Sequence, residues 1–274
     1  MKLLPLTSLL LVSVTLWSGQ AAVQPPTAVR PLARAHSHND YEHVWPLLEA
    51  LEEGFGSVEA DVYLVDGQLL VAHERNQVKA NRTLQSLYLD PLRARANQNR
   101  GRIYPDGPSV VLLIDVKSDA DASWAVLRKV LEGYTNILTR FTAGRIETNA
   151  VTAIISGNRA KTRLAEDDTR YAAIDGRPED LQGNAPSDLI PLISEDWKRL
   201  FKWRGAGEFP SPEREFLQRM IADAHRQGRK VRFWGSPDLP AVWAELWKAG
   251  VDLISTDDLR GLRGFMDRQT LAGP

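Results

Sequence analysis

The stretch SVEADVYLV (Ser57–Val65), followed by Asp66-Gly67 and LLVAH (Leu69–His73), decides how this chain is read. Val58, Ala60 and Val62 alternate with Glu59 and Asp61. That two-residue period is the period of a β-strand, so both carboxylates share one face. Asp-Gly is a hairpin turn signal, and it folds the strand back into a short arm at Leu69–His73. Further along, SVVLLIDVK (Ser109–Lys117) is apolar until it delivers Asp115 and Lys117, again two residues apart on one face.

Working outward, further strands are predicted at Ala33–His36, Val151–Ser156, Tyr171–Asp175, Ile190–Ser194, Lys230–Trp234 and Asp252–Ser255. Helices are predicted between them: Trp45–Glu53 stopped by Gly54, Ala122–Arg140, Pro212–Gln227 stopped by Gly228, and Pro240–Ala249 stopped by Gly250. Strands alternating with helices imply parallel pairing through crossover helices. Discounting the hairpin arm leaves about eight strands, so the predicted fold is a single (β/α)8 TIM barrel. A doubly wound open sheet is the second choice. No GxGxxG turn follows an early strand, which speaks against dinucleotide binding.

The chain has 274 residues, with 34 Lys plus Arg against 35 Asp plus Glu. A net charge of −1 offers no basic excess for nucleic acid or for an anionic membrane surface. Cysteine is absent, which removes disulfides, thiolate metal sites and cysteine nucleophiles. Lys2 precedes an apolar run, Leu3–Trp17, that ends in small residues through Ala21-Ala22. That run is too short to span a bilayer and reads as a secretory signal peptide over residues 1–22. Residues 23–33 form a Pro-rich leader and residues 34–274 the barrel domain. The expected location is therefore secreted or periplasmic.

Four of the five histidines, His36, His38, His43 and His73, fall in a short span that also holds Glu59 and Asp61. Histidine titrates near neutrality and suits acid–base work. Carboxylates crowded at a barrel mouth repel one another, and a divalent cation relieves that cost. Three of them, Glu59, Asp61 and Asp115, suit a hard ion such as Mg²⁺ or Ca²⁺ better than zinc. Lys117 adds positive charge where negative charge would develop. Each signal has a plainer reading: a solvated acidic face for Glu59 and Asp61, and a buried ion pair for Asp115 and Lys117.

Taken in order, Ala35-His36, SVEADV (Ser57–Val62), VAHE (Val71–Glu74) and LLIDVKS (Leu112–Ser118) resemble the PLC-like phosphodiesterase superfamily. The resemblance is particularly to the glycerophosphodiester phosphodiesterases. VRFWGS (Val231–Ser236) and GVDLISTDD (Gly250–Asp258) resemble that family's seventh and eighth strands. The usual His-Arg-Gly after strand one is replaced by HSHNDY (His36–Tyr41), which removes the phosphate-gripping arginine. That string is similar to a branch related to the altered-inheritance-of-mitochondria proteins. His36 and Asn39 also match the His-x-x-Asn of sphingomyelinase D-type enzymes. The resemblance implies a metal-dependent phosphoric diester hydrolase acting on a glycerophosphodiester or a phospholipid headgroup. It assigns His36 and His73 to acid–base catalysis and Glu59, Asp61 and Asp115 to one divalent cation. Lys117, Asn39 and Trp234 fall to substrate binding.

Two other functions fit parts of the sequence. One is a non-catalytic barrel that binds a phosphoryl or polyol group. The other is an amidohydrolase-like enzyme using His36-Ser37-His38 as an HxH metal motif. The segment Asp196–Gly205, with Trp197, Phe201 and Trp203, reads either as a lid or lipid-facing patch or as a helix packed on the barrel.

Overall fold

The computed structural model describes residues 29–142 and 144–271. The signal peptide expected over residues 1–22 lies outside the described residues, as does the leader up to residue 28. Among the described residues twelve strands run in order: β1 (Leu32–Ser37), β2 (Phe55–Val65), β3 (Gln68–Val71), β4 (Val110–Val116), β5 (Arg140–Thr142), β6 (Arg145–Glu147), β7 (Val151–Gly157), β8 (Thr169–Arg170), β9 (Ala172–Gly176), β10 (Leu192–Asp196), β11 (Lys230–Trp234) and β12 (Leu253–Thr256). Eight of them pair in parallel in the order β1-β12-β11-β10-β9-β7-β4-β2, and β1 also pairs with β2. The sheet therefore closes into a (β/α)8 barrel. Closure leaves the barrel no free edge, and the antiparallel arm β3 lies against β2 beside it.

Crossover helices surround the barrel: α1 (Leu48–Glu52), α2 (Asp90–Gln98), α3 (Ala120–Glu132), α4 (Lys161–Glu166), α5 (Trp197–Leu200), α6 (Ser211–Arg226), α7 (Pro240–Ala249) and α8 (Leu259–Leu271). The Asp119 carboxylate caps α3 by accepting from the Ala122 N–H at 2.9 Å. Pro240 opens α7, and Gly250 at φ +87° ends it in the left-handed conformation that a side chain resists. No helix of the described residues is long and apolar enough to cross a membrane.

Several predicted elements differ in extent. The helix expected over Ala122–Arg140 stops at Glu132, because Gly133 follows, and the chain turns into β5. The helix expected from Trp45 begins at Leu48, since Pro46 disfavours helical geometry at Trp45 and Leu47 takes φ +65°. A π-helical turn, Gln85–Leu89, leads into α2, and neither was predicted. The same holds for α4, α8 and the small antiparallel sheet of β6, β5 and β8.

The core has two parts. A large shell of apolar side chains lies between strands and helices. A small plug of Val111, Leu113, Ile154, Leu192 and Leu253 fills the barrel interior. Val111 and Leu113 lead on β4 to Asp115, so one strand face turns from apolar plug to polar site as it reaches its C-terminal end. The Trp-rich segment belongs to the packing. Trp197 and Phe201 are buried, with ring centroids 4.1 Å apart, and both meet Phe233 edge-on.

Candidate active site

The C-terminal ends of the strands carry a small cleft of about 170 Å³. His38, Asn39, Glu59, Asp61, His73, Asp115, Lys117, Ser156, Arg177, Arg232 and Trp234 line it. In-register pairing of β2 with β4 sets Asp61 beside Asp115, and Glu59 lies one layer deeper beside Leu113. One oxygen from each of Glu59, Asp61 and Asp115 lies within 4.8 Å of the other two. The close approach at Asp115 depends on Gly157 at the end of β7. A Cβ there would meet Asp115 Oδ1 at 2.2 Å, and its φ of +64° disfavours any side chain.

Electrostatics divides the three acids. Burial raises the Glu59 carboxyl, but Arg232, then His36 and His38, overcome it and hold it well below the usual carboxylate range. The Arg232 guanidinium bonds Glu59 directly, and both side chains are buried. Burial, then the charge of Glu59, lifts Asp61 to about 7, although Lys117 pulls the other way. Burial also raises Asp115 against the pull of Lys117. The Lys117 ammonium bridges these two, 3.1 Å from Asp61 and 3.0 Å from Asp115. Burial works against its charge, but the two carboxylates more than compensate and raise its pKa.

The acids fit a divalent cation. Asp61 Oδ1 is buried without a hydrogen-bond partner, and an uncompensated acceptor of that kind is costly. An all-oxygen set of three carboxylates is the donor chemistry of Mg²⁺ or Ca²⁺. Among the described residues this is the one cluster of His, Asp or Glu with metal-ligand spacing. The HxH alternative gains nothing, because His36 and His38 are not part of such a cluster.

The two expected catalytic histidines are placed differently. His73 sits at the mouth, half exposed. The Tyr41 hydroxyl lies 2.7 Å from Asp61 Oδ2 and 2.9 Å from His73 Nδ1. Having one proton, it donates to the carboxylate and accepts from the imidazole Nδ1–H, which leaves His73 Nε2 with the lone pair. His36 does not line the cleft. It is fully buried, with Nδ1 2.7 Å from Ser57 Oγ and Nε2 3.1 Å from Glu59. Burial, then Arg232, pushes its pKa down to about 3.

Asn39 adopts a left-handed backbone at φ 47° and sets its amide oxygen 2.9 Å from the Tyr41 hydroxyl, a second acceptor beside the closer and charged Asp61 Oδ2. Trp234 lines the cleft beneath the Arg177 guanidinium, 4.8 Å from the ring centroid. Asp175, fully buried on β9, accepts from Arg177 at 2.9 Å and from the hydroxyls of Ser156 and Ser194. Sequence reasoning left His38 out of the catalytic pair and missed Tyr41, Arg177 and Arg232. For Arg232 a signal existed, since it stands two residues before Trp234 on β11 and shares its face. Arg177 lies beyond its strand and carried none.

The model of the AIM6-like phosphodiesterase domain matches residues 27–174, more than half of the chain. The chain belongs to the AIM6-like phosphodiesterase family. The glycerophosphoryl diester phosphodiesterase family matches residues 230–260, which contain β11 and its cleft residues Arg232 and Trp234. Among AIM6-like relatives, altered inheritance of mitochondria protein 6 homolog of Arthroderma benhamiae is 29% identical, over 84% of this chain and 82% of that protein. Altered inheritance of mitochondria protein 6 of Eremothecium gossypii is 30% identical, over 90% of this chain and 73% of that protein. Two solved structures share the fold. The glycerophosphodiester phosphodiesterase of Agrobacterium tumefaciens superposes with a TM-score of 0.51 at 15% identity, covering 86% of this chain and 100% of that one. That of Parabacteroides distasonis gives 0.52 at 16%, covering 88% and 99%.

Proposed function

We propose that this AIM6-like chain is a metal-dependent phosphoric diester hydrolase acting on a glycerophosphodiester or a phospholipid headgroup. One observation carries the reading: two buried carboxylates, a third that is partly buried and an ammonium converge at the C-terminal mouth of a closed barrel, beside an oriented histidine. Family membership and the barrel shared with glycerophosphodiester phosphodiesterases support a phosphodiesterase-type chemistry.

Glu59, Asp61 and Asp115 would hold the cation, which when bound supplies Lewis-acid polarisation of a phosphoryl oxygen. Lys117 and Arg177 face the same cleft and provide positive charge for the remaining phosphoryl oxygens. Arg177, held by Asp175 and stacked on Trp234, supplies the guanidinium that HSHNDY lacks after strand one. His73 Nε2 accepts the proton of the attacking oxygen, from water or from a neighbouring substrate hydroxyl. Trp234 offers an apolar face to the headgroup. The N-terminal sequence supports export to a secreted or periplasmic location, which is part of the proposal.

The test is hydrolysis of bis-p-nitrophenyl phosphate and of glycerophosphodiesters by the mature protein, in EDTA and after return of Mg²⁺ or Ca²⁺. Activity lost to EDTA and restored by cation is the expected result. Activity indifferent to EDTA in protein shown by elemental analysis to be metal-free would overturn the metal-dependent reading.

A further inference from the structure

We propose that His38, oriented by Asp257, is the second acid–base group of the cleft, and that His36 is a positioning residue beneath Glu59. The proposal rests on the phosphodiesterase reading above. His38 follows β1, and its backbone N–H donates to the Thr256 carbonyl at 3.0 Å, which pins it beside β12. Its Nδ1 lies 2.8 Å from Asp257 Oδ1. Asp257 is itself anchored, its N–H donating to Asp238 Oδ2 at 2.9 Å. The carboxylate therefore accepts from Nδ1–H and favours that tautomer over the longer 3.1 Å approach of the Asn39 amide nitrogen to the same atom, as in other histidine–carboxylate pairs. His38 Nε2 has no protein partner among the described residues, and the ring lines the cleft.

His36 has neither property. Both its nitrogens are bonded within the protein and its exposure is zero. What it does contact is Glu59, which it shares with Arg232. The cleft thus offers two accessible imidazoles from different places in the fold. His73 lies beyond β3, and His38 lies where β1 meets β12.

Their environments suit opposite roles. Around His38 stand Asp257 beyond β12, Glu59 on β2, Arg232 on β11 and His36 on β1. Burial opposes its positive charge, as does Arg232, but the Asp257 hydrogen bond and the nearby carboxylates prevail and raise its pKa. The Asp257 carboxylate held 2.8 Å from Nδ1 favours the imidazolium, so His38 is the proton donor. As the new oxygen–phosphorus bond forms, His73 Nε2 takes the attacker's proton. As the leaving phosphorus–oxygen bond breaks, His38 Nε2–H passes its proton to the departing alkoxide. One proton is taken and one is given, so the step balances. Because the donor must be charged, activity falls as pH rises through the His38 pKa.

The experiment compares two substrates in wild type, His38→Gln, Asp257→Asn and His36→Gln. An alkyl phosphodiester releases a poor leaving group that needs the proton, whereas p-nitrophenolate departs readily without it. His38→Gln should cost about 10²–10⁴-fold in kcat on glycerophosphocholine, the usual size of general-acid assistance, and at least tenfold less on bis-p-nitrophenyl phosphate. Asp257→Asn should move the alkaline limb of the pH profile to lower pH. His36→Gln should weaken cation affinity in calorimetry and affect both substrates alike. Equal losses on the two substrates in His38→Gln, or an unmoved alkaline limb in Asp257→Asn, would overturn the assignment. If His36→Gln alone shows the leaving-group dependence, His36 is the acid. A wild type inactive on every diester refutes the phosphodiesterase reading and this proposal with it, an outcome distinct from wild-type activity with indifferent variants.

Discussion

Replacing Arg232 by Met isolates the pair at the deepest point of the site. The side chains of Arg232 and Glu59 are 2% and 6% exposed, so water screens neither. Removing one partner of a buried ion pair costs about 3–5 kcal/mol, because the other charge is left uncompensated. At roughly 2–4 °C per kcal/mol for a domain of this size, Tm should fall by about 6–20 °C. Thermal unfolding by circular dichroism in EDTA reads this directly. Adding Glu59→Gln to Arg232→Met removes the stranded charge and should restore much of the loss, with a coupling of about 2 kcal/mol. The cation enters the same cycle. With Arg232 gone, Glu59 is released to a metal ion, so Mg²⁺ should raise Tm more in Arg232→Met than in wild type. A cation at a hundred times its Kd adds about 2.7 kcal/mol. A single variant within 2 °C of wild type, or a double variant no better than the single, would refute the reasoning that Glu59 depends on Arg232.

Three further predictions concern the cleft. Asp61→Asn should weaken Mg²⁺ or Ca²⁺ binding at least tenfold in calorimetry while the protein stays folded, since it removes a charged ligand from a set of three. Gly157→Ala should also weaken cation binding, because the new Cβ collides with Asp115 Oδ1; unchanged affinity would show that Asp115 is not a ligand. Tyr41→Phe removes the hydroxyl linking Asp61 to His73. A hydrogen bond to a charged group is worth about 1.5–3 kcal/mol, so kcat should fall roughly 10–100-fold, and an unchanged kcat would deny the link a role.

Much of this arrangement was legible in the chain because a strand's two-residue period is strict. Glu59 with Asp61, and Asp115 with Lys117, had to share faces once their strands were recognised, and direct parallel pairing of β2 with β4 then set the two strands in register. The strand cores were legible for the same reason, and Lys230–Trp234 and Pro240–Ala249 appear with the bounds the sequence indicated. What period does not govern was harder to see. His36 and His38 are two residues apart, yet one is buried under the sheet's inner layer and the other lines the cleft. That separation is made by the chain leaving β1 at Ser37 and turning through the left-handed Asn39. Such a turn is set by tertiary contacts, including the Thr256 carbonyl, that have no local signature. Arg177 was hidden similarly: it reaches Trp234, fifty-seven positions away in sequence, only because β9 and β11 flank β10. The overlong helix toward Arg140 ends at a glycine, as α7 does, but Gly133 keeps φ −76° where Gly250 takes the left-handed +87°.

The central claim is that three carboxylates form one cation site. The most direct measurement is anomalous diffraction from crystals of the mature protein soaked in Mn²⁺, which substitutes for Mg²⁺ at oxygen sites. The account predicts one strong peak among Glu59, Asp61 and Asp115, absent in Asp61→Asn crystals treated alike. No peak there, with Lys117 still bridging Asp61 and Asp115 at saturating Mn²⁺, would contradict it.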